Sequence, residues 1–290
     1  LSKGASCVIS DSPKKYGKKV IKVKNSISFL NSFAKLKRGY SKSSIIAITG
    51  SAGKTSLKNL LSQLLQKSGK THFSPKSFNN HLGVPISLSN LSFDDEYGVF
   101  EIGMSKSGEI KNLTKLVKPH LGIITNIGEA HLENFKNIKA IAKAKSEIIE
   151  NIKSGGKIIL NRDDKFYSFL SKKAKSYNLK IITFGKHKKS DILLKKISEK
   201  NEKTNISVNV RGHHYEFELK DIHAYNVLAS IATLNELKIN LNTIKPILQN
   251  LQPTIGRGKK YNILRYKKKF RFIDESYNAN PLSVKNAIMK

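Results

Sequence analysis

The sequence is poor in cysteine and in acid, and each shortage closes off some chemistry. A single cysteine, Cys7, in 290 residues excludes an internal disulfide framework and any site built from several thiolates. A metal would therefore have to use oxygen and nitrogen ligands, and the usage suits a reducing cytosol. No stretch approaches the ~20 consecutive apolar residues that cross a bilayer. Residues 1–40 are peppered with Lys and Ser and lack the apolar core of a signal peptide. Asp and Glu number 21 against 53 Lys and Arg, a net charge of +32. Such a balance suits a partner rich in phosphate, such as nucleic acid or an anionic membrane. The plainer reading is lysine filling solvated positions. Lys14-Lys15, Lys18-Lys19, Lys35–Arg38, Lys172-Lys173, Lys188-Lys189 and Lys267–Lys269 spread along the whole chain. No RNP-type aromatic pattern or zinc-finger spacing accompanies them. The plainer reading is preferred, with neither nucleic acid nor membrane insertion expected.

What is present is more specific. The apolar run Ile45–Ile48 feeds Thr49-Gly50-Ser51-Ala52-Gly53-Lys54-Thr55-Ser56, and a helix follows with Leu57, Leu60, Leu61, Leu64 and Leu65 on one face and Gly69 as its stop. A strand, a tight turn and a helix N-terminus aim several backbone N–H groups at one point, where a polyphosphate would sit. Lys54 would neutralise the β/γ-phosphates and the Thr55 hydroxyl would ligate Mg²⁺. Gly50 and Gly53 are closer together than the general P-loop requires, so a Gly-rich turn with a chance Lys-Thr is the alternative.

The chain is long enough for about two domains, and its 39% hydrophobic content is compatible with a buried core. It opens at Leu1 and stops at Lys290 inside an amphipathic segment, and is expected to be a piece of a longer protein. Residues 1–43 hold a short strand at Cys7–Ile9 and a helix from Ser26 to Leu36, with the character of a small domain's tail plus a linker. Strands are then predicted at 45–49, 71–74, 97–102, 121–126, 157–160 and 181–184, with helices at 54–68, 107–116, 137–151 and 163–175. That alternation argues a parallel sheet covered on both faces. An antiparallel hairpin is expected around Arg211-Gly212, then helices at 224–237 and 241–251. A hinge follows at Pro253–Gly258, and a new unit of strands opens at Tyr261.

In such a sheet the ligand lies beyond the carboxyl ends of the strands. Glu101 closes one strand, and Asn126-Ile127-Gly128-Glu129-Ala130-His131 follows another. Glu101, His131 and Thr55 could converge on Mg²⁺ bridging ATP phosphates. Taken alone, Glu101 reads equally as a satisfied carboxylate and His131 as a helix cap. Lys145 reads alone as a solvated lysine on a helix face. Asn161-Arg162-Asp163-Asp164 reads as a helix N-cap with acidic residues favoured by the dipole. Asp274–Pro281, mostly polar directly after a strand, is costly to order unless it binds something or builds a special turn.

Together, Thr49–Ser56, Asn79–Pro85, Glu101–Met104 with Gly108–Ile110, Thr125–Gly128 with Ala130–Glu133, Ala144–Ile148 and Asp274–Pro281 resemble the Mur ligase family, in the family's order and with its shortened glycine spacing. The likeness is narrowest to the branch that adds D-alanyl-D-alanine. It implies an α/β chain with a central parallel-sheet P-loop ATPase domain at 44–253. A partial N-terminal UDP-sugar-binding α/β domain and linker would occupy 1–43, and a truncated Rossmann-like C-terminal domain 254–290. The implied reaction is ATP-dependent amide formation through an acyl phosphate, between UDP-MurNAc-tripeptide and D-Ala-D-Ala, in a monomeric cytoplasmic enzyme of peptidoglycan synthesis. Sister ligases adding one amino acid and folylpolyglutamate-type ligases are the neighbouring alternatives. A nucleic-acid-binding P-loop ATPase is the alternative from another class.

The resemblance also implies roles. Gly50, Ser51, Ala52, Gly53, Lys54, Thr55 and Ser56 would hold the nucleotide phosphates. Thr55 and Glu101 would hold one Mg²⁺, His131 would ligate a second, and a carbamylated Lys145 would help to hold a cation. His223 and Asn226 match the adenine-side motif, although Asp221-Ile222 replaces the glycine usual before that His. Arg257 matches an interdomain arginine that reaches the phosphates on closure, Asp274 a residue that meets the ribose, and Asn79 and Asn80 would lie near the acyl substrate.

Overall fold

The computed structural model describes residues 4–12, 19–129, 134–200, 203–220, 222–251, 256, 258–277, 284 and 288. Two short parallel strands, β1 (Val8–Ser10) and β2 (Val20–Lys22), precede α1 (Ser26–Tyr40), whose N-terminus is capped by the Asn25 side chain. The central body then runs β3 (Ser44–Thr49), α2 (Lys54–Leu65), β4 (Thr71–Phe73), α3 (Gly83–Ser89), β5 (Tyr97–Glu101), α4 (Glu109–Val117), β6 (Leu121–Ile124) and α5 (Ile138–Lys145). It continues with β7 (Lys157–Asn161), α6 (Tyr167–Ser176), β8 (Lys180–Gly185), β9 (Ile192–Lys200), β10 (Lys203–Val210), β11 (His213–Leu219), α7 (Ala224–Glu236) and α8 (Lys245–Asn250). A last hairpin pairs β12 (Lys259–Arg265) with β13 (Lys268–Asp274).

Among the described residues, nine strands form one sheet in the order β11-β10-β9-β8-β7-β6-β3-β5-β4. It is parallel from β4 across to β9, and antiparallel from β9 to β11. Side chains of β3 go alternately to two cores. Ile45 and Ala47 pack with Val84, Leu88, Ile110 and Ile141, while Ile46 and Ile48 pack with Leu57, Leu61, Leu64, Val227 and Ile231. Such double burial is what a parallel strand between two helical layers requires. After β3 the chain builds β4 and β5 on one side of it and then crosses to β6 on the other, so the loops after β3, β5 and β6 open into one crevice.

The expected alternation is observed, with informative departures. The helix expected at 54–68 ends at Leu65, and the Lys67, Ser68 and Gly69 amides bond back to Leu64 and Leu65. The helix expected at 137–151 is α5 followed by a 3-10 turn at Ser146–Asn151, where the Ser146 hydroxyl donates to the Lys143 carbonyl at 2.6 Å and competes with the helix ladder. Strand β9 was not expected, because Lys195, Lys196, Glu199 and Lys200 give it a solvated composition. The short helix α3 was likewise missed; Pro85 lies in its first turn and the Asn80 side chain accepts from the Leu82 and Gly83 amides at its start.

The capping role expected of Asp163 and Asp164 is not what they do. Helix α6 starts only at Tyr167, with no side-chain cap. Asp163 instead accepts from the Lys186 and His187 amides and from the Tyr225 hydroxyl, tying the end of β7 to the loop after β8 and to α7. Asp164 accepts from the Ile127 amide at 2.7 Å and from Phe166 at 2.8 Å, which braces the loop after β6. Helix α1 packs on α3 and α4, and its buried Arg38 donates to the Val117 and Lys118 carbonyls at 2.7 and 2.8 Å, closing the C-terminus of α4.

Candidate active site

The turn from β3 into α2 is built on two glycines. Gly53 precedes α2 with φ of 81°, a left-handed conformation that disfavours any other residue. Gly50 has φ of 149°, and a Cβ there would lie 1.8 Å from the Thr125 hydroxyl oxygen. The loop after β6 braces this turn. The Ala52 amide donates to Asn126 Oδ1 at 2.9 Å, the Ser51 amide to the Asn126 carbonyl at 3.0 Å, and the Ser51 hydroxyl to the Gly128 carbonyl at 2.9 Å. Lys54 Nζ donates to the Gly50 carbonyl at 2.9 Å, which folds its ammonium back over the turn. Thr55 is buried one residue further on, and Ser56 occupies the first turn of the same helix.

Glu101 ends β5 on the neighbouring strand and is 1% exposed. Its Oε1 accepts from Asn79 Nδ2 at 2.7 Å, and its Oε2 is buried without a hydrogen-bond partner among the described residues. A carboxylate oxygen left like that is costly unless a cation completes it. A cavity of about 690 Å³ connects these groups. It is lined by Ser51–Thr55, Glu101, Asn79, Asn80 and His81, then by Met104, Ser105 and Asn112 toward α4, with Ser77 and Tyr277 at its edge. The donor set suits Mg²⁺, which takes few protein oxygens and keeps the rest of its shell for water and phosphate. Among the described residues no cluster of three or more His, Cys, Asp and Glu exists to hold a metal by itself.

Lys145 occupies the last turn of α5 and is 1% exposed, so it is not the solvated lysine that its local sequence allows. Burial first, and the charge of Lys54 second, hold its ammonium well below the usual lysine range. Two residues on, Glu147 takes the Ser107 hydroxyl and the Gly108 and Lys111 amides, fixing the N-terminus of α4 beside the cavity. Asn226 Oδ1 would lie 3.1 Å from a Cβ on Gly53, so the His223–Asn226 corner of α7 meets the phosphate turn. Asp274 spends both oxygens locally, accepting from the Gly256 amide and from the Ser276 amide and hydroxyl. Tyr277, three residues later, is what reaches the cavity, donating to Ser77 Oγ at 2.5 Å. His131 and Arg257 lie outside the described residues.

A family profile described as Mur ligase middle domain matches residues 48–234. The chain belongs to the Mur ligase family. It is 34% identical over 294 residues to the UDP-N-acetylmuramoyl-tripeptide--D-alanyl-D-alanine ligase of Rickettsia prowazekii, covering 99% of this chain and 65% of that protein. Among solved structures, MurF from Acinetobacter baumannii superimposes with a TM-score of 0.87 at 30% identity, over 97% of this chain and 61% of that one. MurF from Thermotoga maritima in complex with ADP gives 0.84 at 26% identity, over 99% and 65%. The chain thus spans 65% or less of each of these proteins. Within this Mur ligase fold, the sequence reading missed Ser77, Ser105, Asn112 and Tyr277 as cavity residues. Only Tyr277 carried a signal, since it lies inside the costly polar stretch that begins at Asp274.

Proposed function

We propose that this chain is the nucleotide-binding core of a cytoplasmic, monomeric ligase that joins D-Ala-D-Ala to UDP-MurNAc-tripeptide at the expense of ATP. The supporting observation is the one cavity lined by the phosphate turn, by Asn79 and Asn80, and by Glu101, whose Oε2 is buried without a hydrogen-bond partner among the described residues. ATP transfers its γ-phosphoryl group to the terminal carboxylate of the tripeptide, and ADP departs. The dipeptide amine then attacks the acyl phosphate carbonyl carbon, loses a proton, and the tetrahedral intermediate collapses by expelling phosphate.

Lys54 and the turn Gly50–Ser56 bind and orient the phosphates, with the amides at the start of α2 as donors while those of Ser51 and Ala52 hold the turn to Asn126. This positioning with charge stabilisation is most of what phosphoryl transfer asks of a protein. Thr55 and Glu101 would hold Mg²⁺, which supplies charge neutralisation at the transferring group. His131 and Lys145 are assigned to a second cation. The neutral amine favoured by the burial of Lys145 is the form that adds to CO₂ with loss of a proton, turning a repelling ammonium into a carboxylate-like carbamate. Asn79 and Asn80 face the acyl substrate. His223 and Asn226 are assigned to the adenine side, and Arg257 and Asp274 to the phosphates and ribose after closure of the element that carries them. Closure would keep water from the acyl phosphate.

The test is phosphate release by the complete gene product with ATP and UDP-MurNAc-tripeptide, run with D-Ala-D-Ala, with single amino acids and with nucleic acid. Release that requires the dipeptide, with a pentapeptide product by mass, is expected. A requirement for one amino acid would move the protein to a sister ligase. Stimulation by nucleic acid without dipeptide dependence would overturn the reading.

A further inference from the structure

Lys58 lies one turn beyond Lys54 on α2, yet it is 1% exposed. A buried ammonium is costly unless its protons are bound. Its Nζ donates to the Ser74 carbonyl at 2.6 Å and to the Lys76 carbonyl. Both acceptors belong to the segment between β4 and α3. Lys76 has φ of 47°, a conformation that a side-chain-bearing residue keeps only where its surroundings impose it.

That segment walls the cavity through Ser77, Asn79 and Asn80. It is fastened to the site at several further points. The Ser74 hydroxyl oxygen accepts from the Glu101 amide at 3.3 Å, Asn79 Nδ2 donates to Glu101, and the Asn79 carbonyl accepts from the Gly103 amide at 2.8 Å. The Tyr277 hydroxyl donates to Ser77 Oγ. Lys58 joins this wall to the helix of the phosphate turn.

We propose that Lys58 is a positioning residue, which keeps Asn79 and Glu101 in register with Lys54 and Thr55 by pinning the Ser74–Lys76 backbone to α2. The kinetic part of this inference rests on the proposed ligase reaction; the structural part does not.

The experiment compares the complete wild-type gene product with Lys58→Met, which keeps the side-chain length and removes the donors. Expected are at least about tenfold faster amide exchange in residues 74–82 and ADP affinity within about twofold. The KM for UDP-MurNAc-tripeptide should rise about tenfold, and the penalty should not add to that of Asn79→Ala in a double-mutant cycle. Should Lys58→Met not fold, Lys58→Gln, which retains amide N–H donors on a shorter side chain, is expected to show the same ordering with smaller changes. Unchanged exchange at 74–82, an equal loss of ADP and tripeptide binding, or strict additivity with Asn79→Ala would overturn the assignment. A wild type without tripeptide-dependent turnover would instead remove the proposed reaction, and the exchange and ADP arms would still judge Lys58.

Discussion

Asn79 Nδ2 and Glu101 Oε1 meet at 2.7 Å across the cavity wall, and the bond turns the other carboxylate oxygen of Glu101 into a buried site with no partner among the described residues. The pair joins a loop that precedes α3 to the end of a central strand. It orients a charge that would otherwise be costly to bury, and it leaves one oxygen for a cation.

Glu101→Gln should preserve the bond from Asn79, because the amide oxygen still accepts. Phosphate release should fall by roughly 10²-fold, the scale of losing one preorganised electrostatic contact at a transferring group. The protein without nucleotide should unfold at the same temperature or higher, since a buried charge is removed, whereas the stabilisation by Mg-ADP should shrink. Thermal unfolding with and without Mg-ADP checks this; a full Mg-dependent shift in the variant would rule out Glu101 as a ligand.

Lys54→Ala should abolish ATP turnover, by at least about 10²-fold, while stability changes by no more than about 0.5 kcal/mol, because the side chain is half-buried and its hydrogen bond is to a loop carbonyl. Urea unfolding and phosphate release together are the measurement. Wild-type turnover in the variant would remove the phosphate-binding assignment of the turn.

Lys145→Ala should lose activity by about 10²-fold and regain part of it with a short carboxylic acid, which supplies the carboxylate that a carbamate would present. Stripping CO₂ from the wild-type enzyme should lower its activity, and bicarbonate should restore it. Full activity of the unsupplemented variant would sink the carbamate assignment.

His120 offers a pH prediction away from the site. Its Nδ1 accepts from the Ile45 amide at 2.9 Å, and burial with the nearby charges of Lys153 and Arg38 lowers its pKa to about 4. The unfolded value is about 6.5, so between these values the unfolded chain binds the extra proton. The contribution is therefore complete above about pH 6.5 and is lost as the pH falls toward about 4. His120→Asn, which can still accept from Ile45, should flatten that part of the stability profile. A wild-type slope retained in the variant would place its origin elsewhere.

Local patterns in the chain were enough for the elements that carry the phosphate turn. The β-branched run Ile45–Ile48, the glycines at 50 and 53 and the leucines of α2 act within one turn or one strand, so their spacing alone specifies them. The same holds for the strand–helix alternation and for the hairpin at Arg211-Gly212. Strand β9 was illegible because its pairing with β10 and β8, rather than its composition, makes it a strand. Asp163 and Asp164 were misread as caps for a related reason. Apart from the Phe166 amide, their partners, Lys186, His187, Tyr225 and Ile127, lie 23 or more residues away, and no spacing rule reaches that far.

By itself the sequence determined the parallel α/β class, the phosphate-binding turn and the residue types gathered at the strand ends, because these follow from short-range sterics, hydrogen bonding and hydrophobic period. Only the tertiary structure decided which charges are buried. Lys58, Lys145 and Glu101 look like surface residues along the chain, and packing alone made each costly unless partnered. That choice turned one lysine into a clamp on two carbonyls, lowered the pKa of another, and left a buried carboxylate oxygen without a hydrogen-bond partner among the described residues.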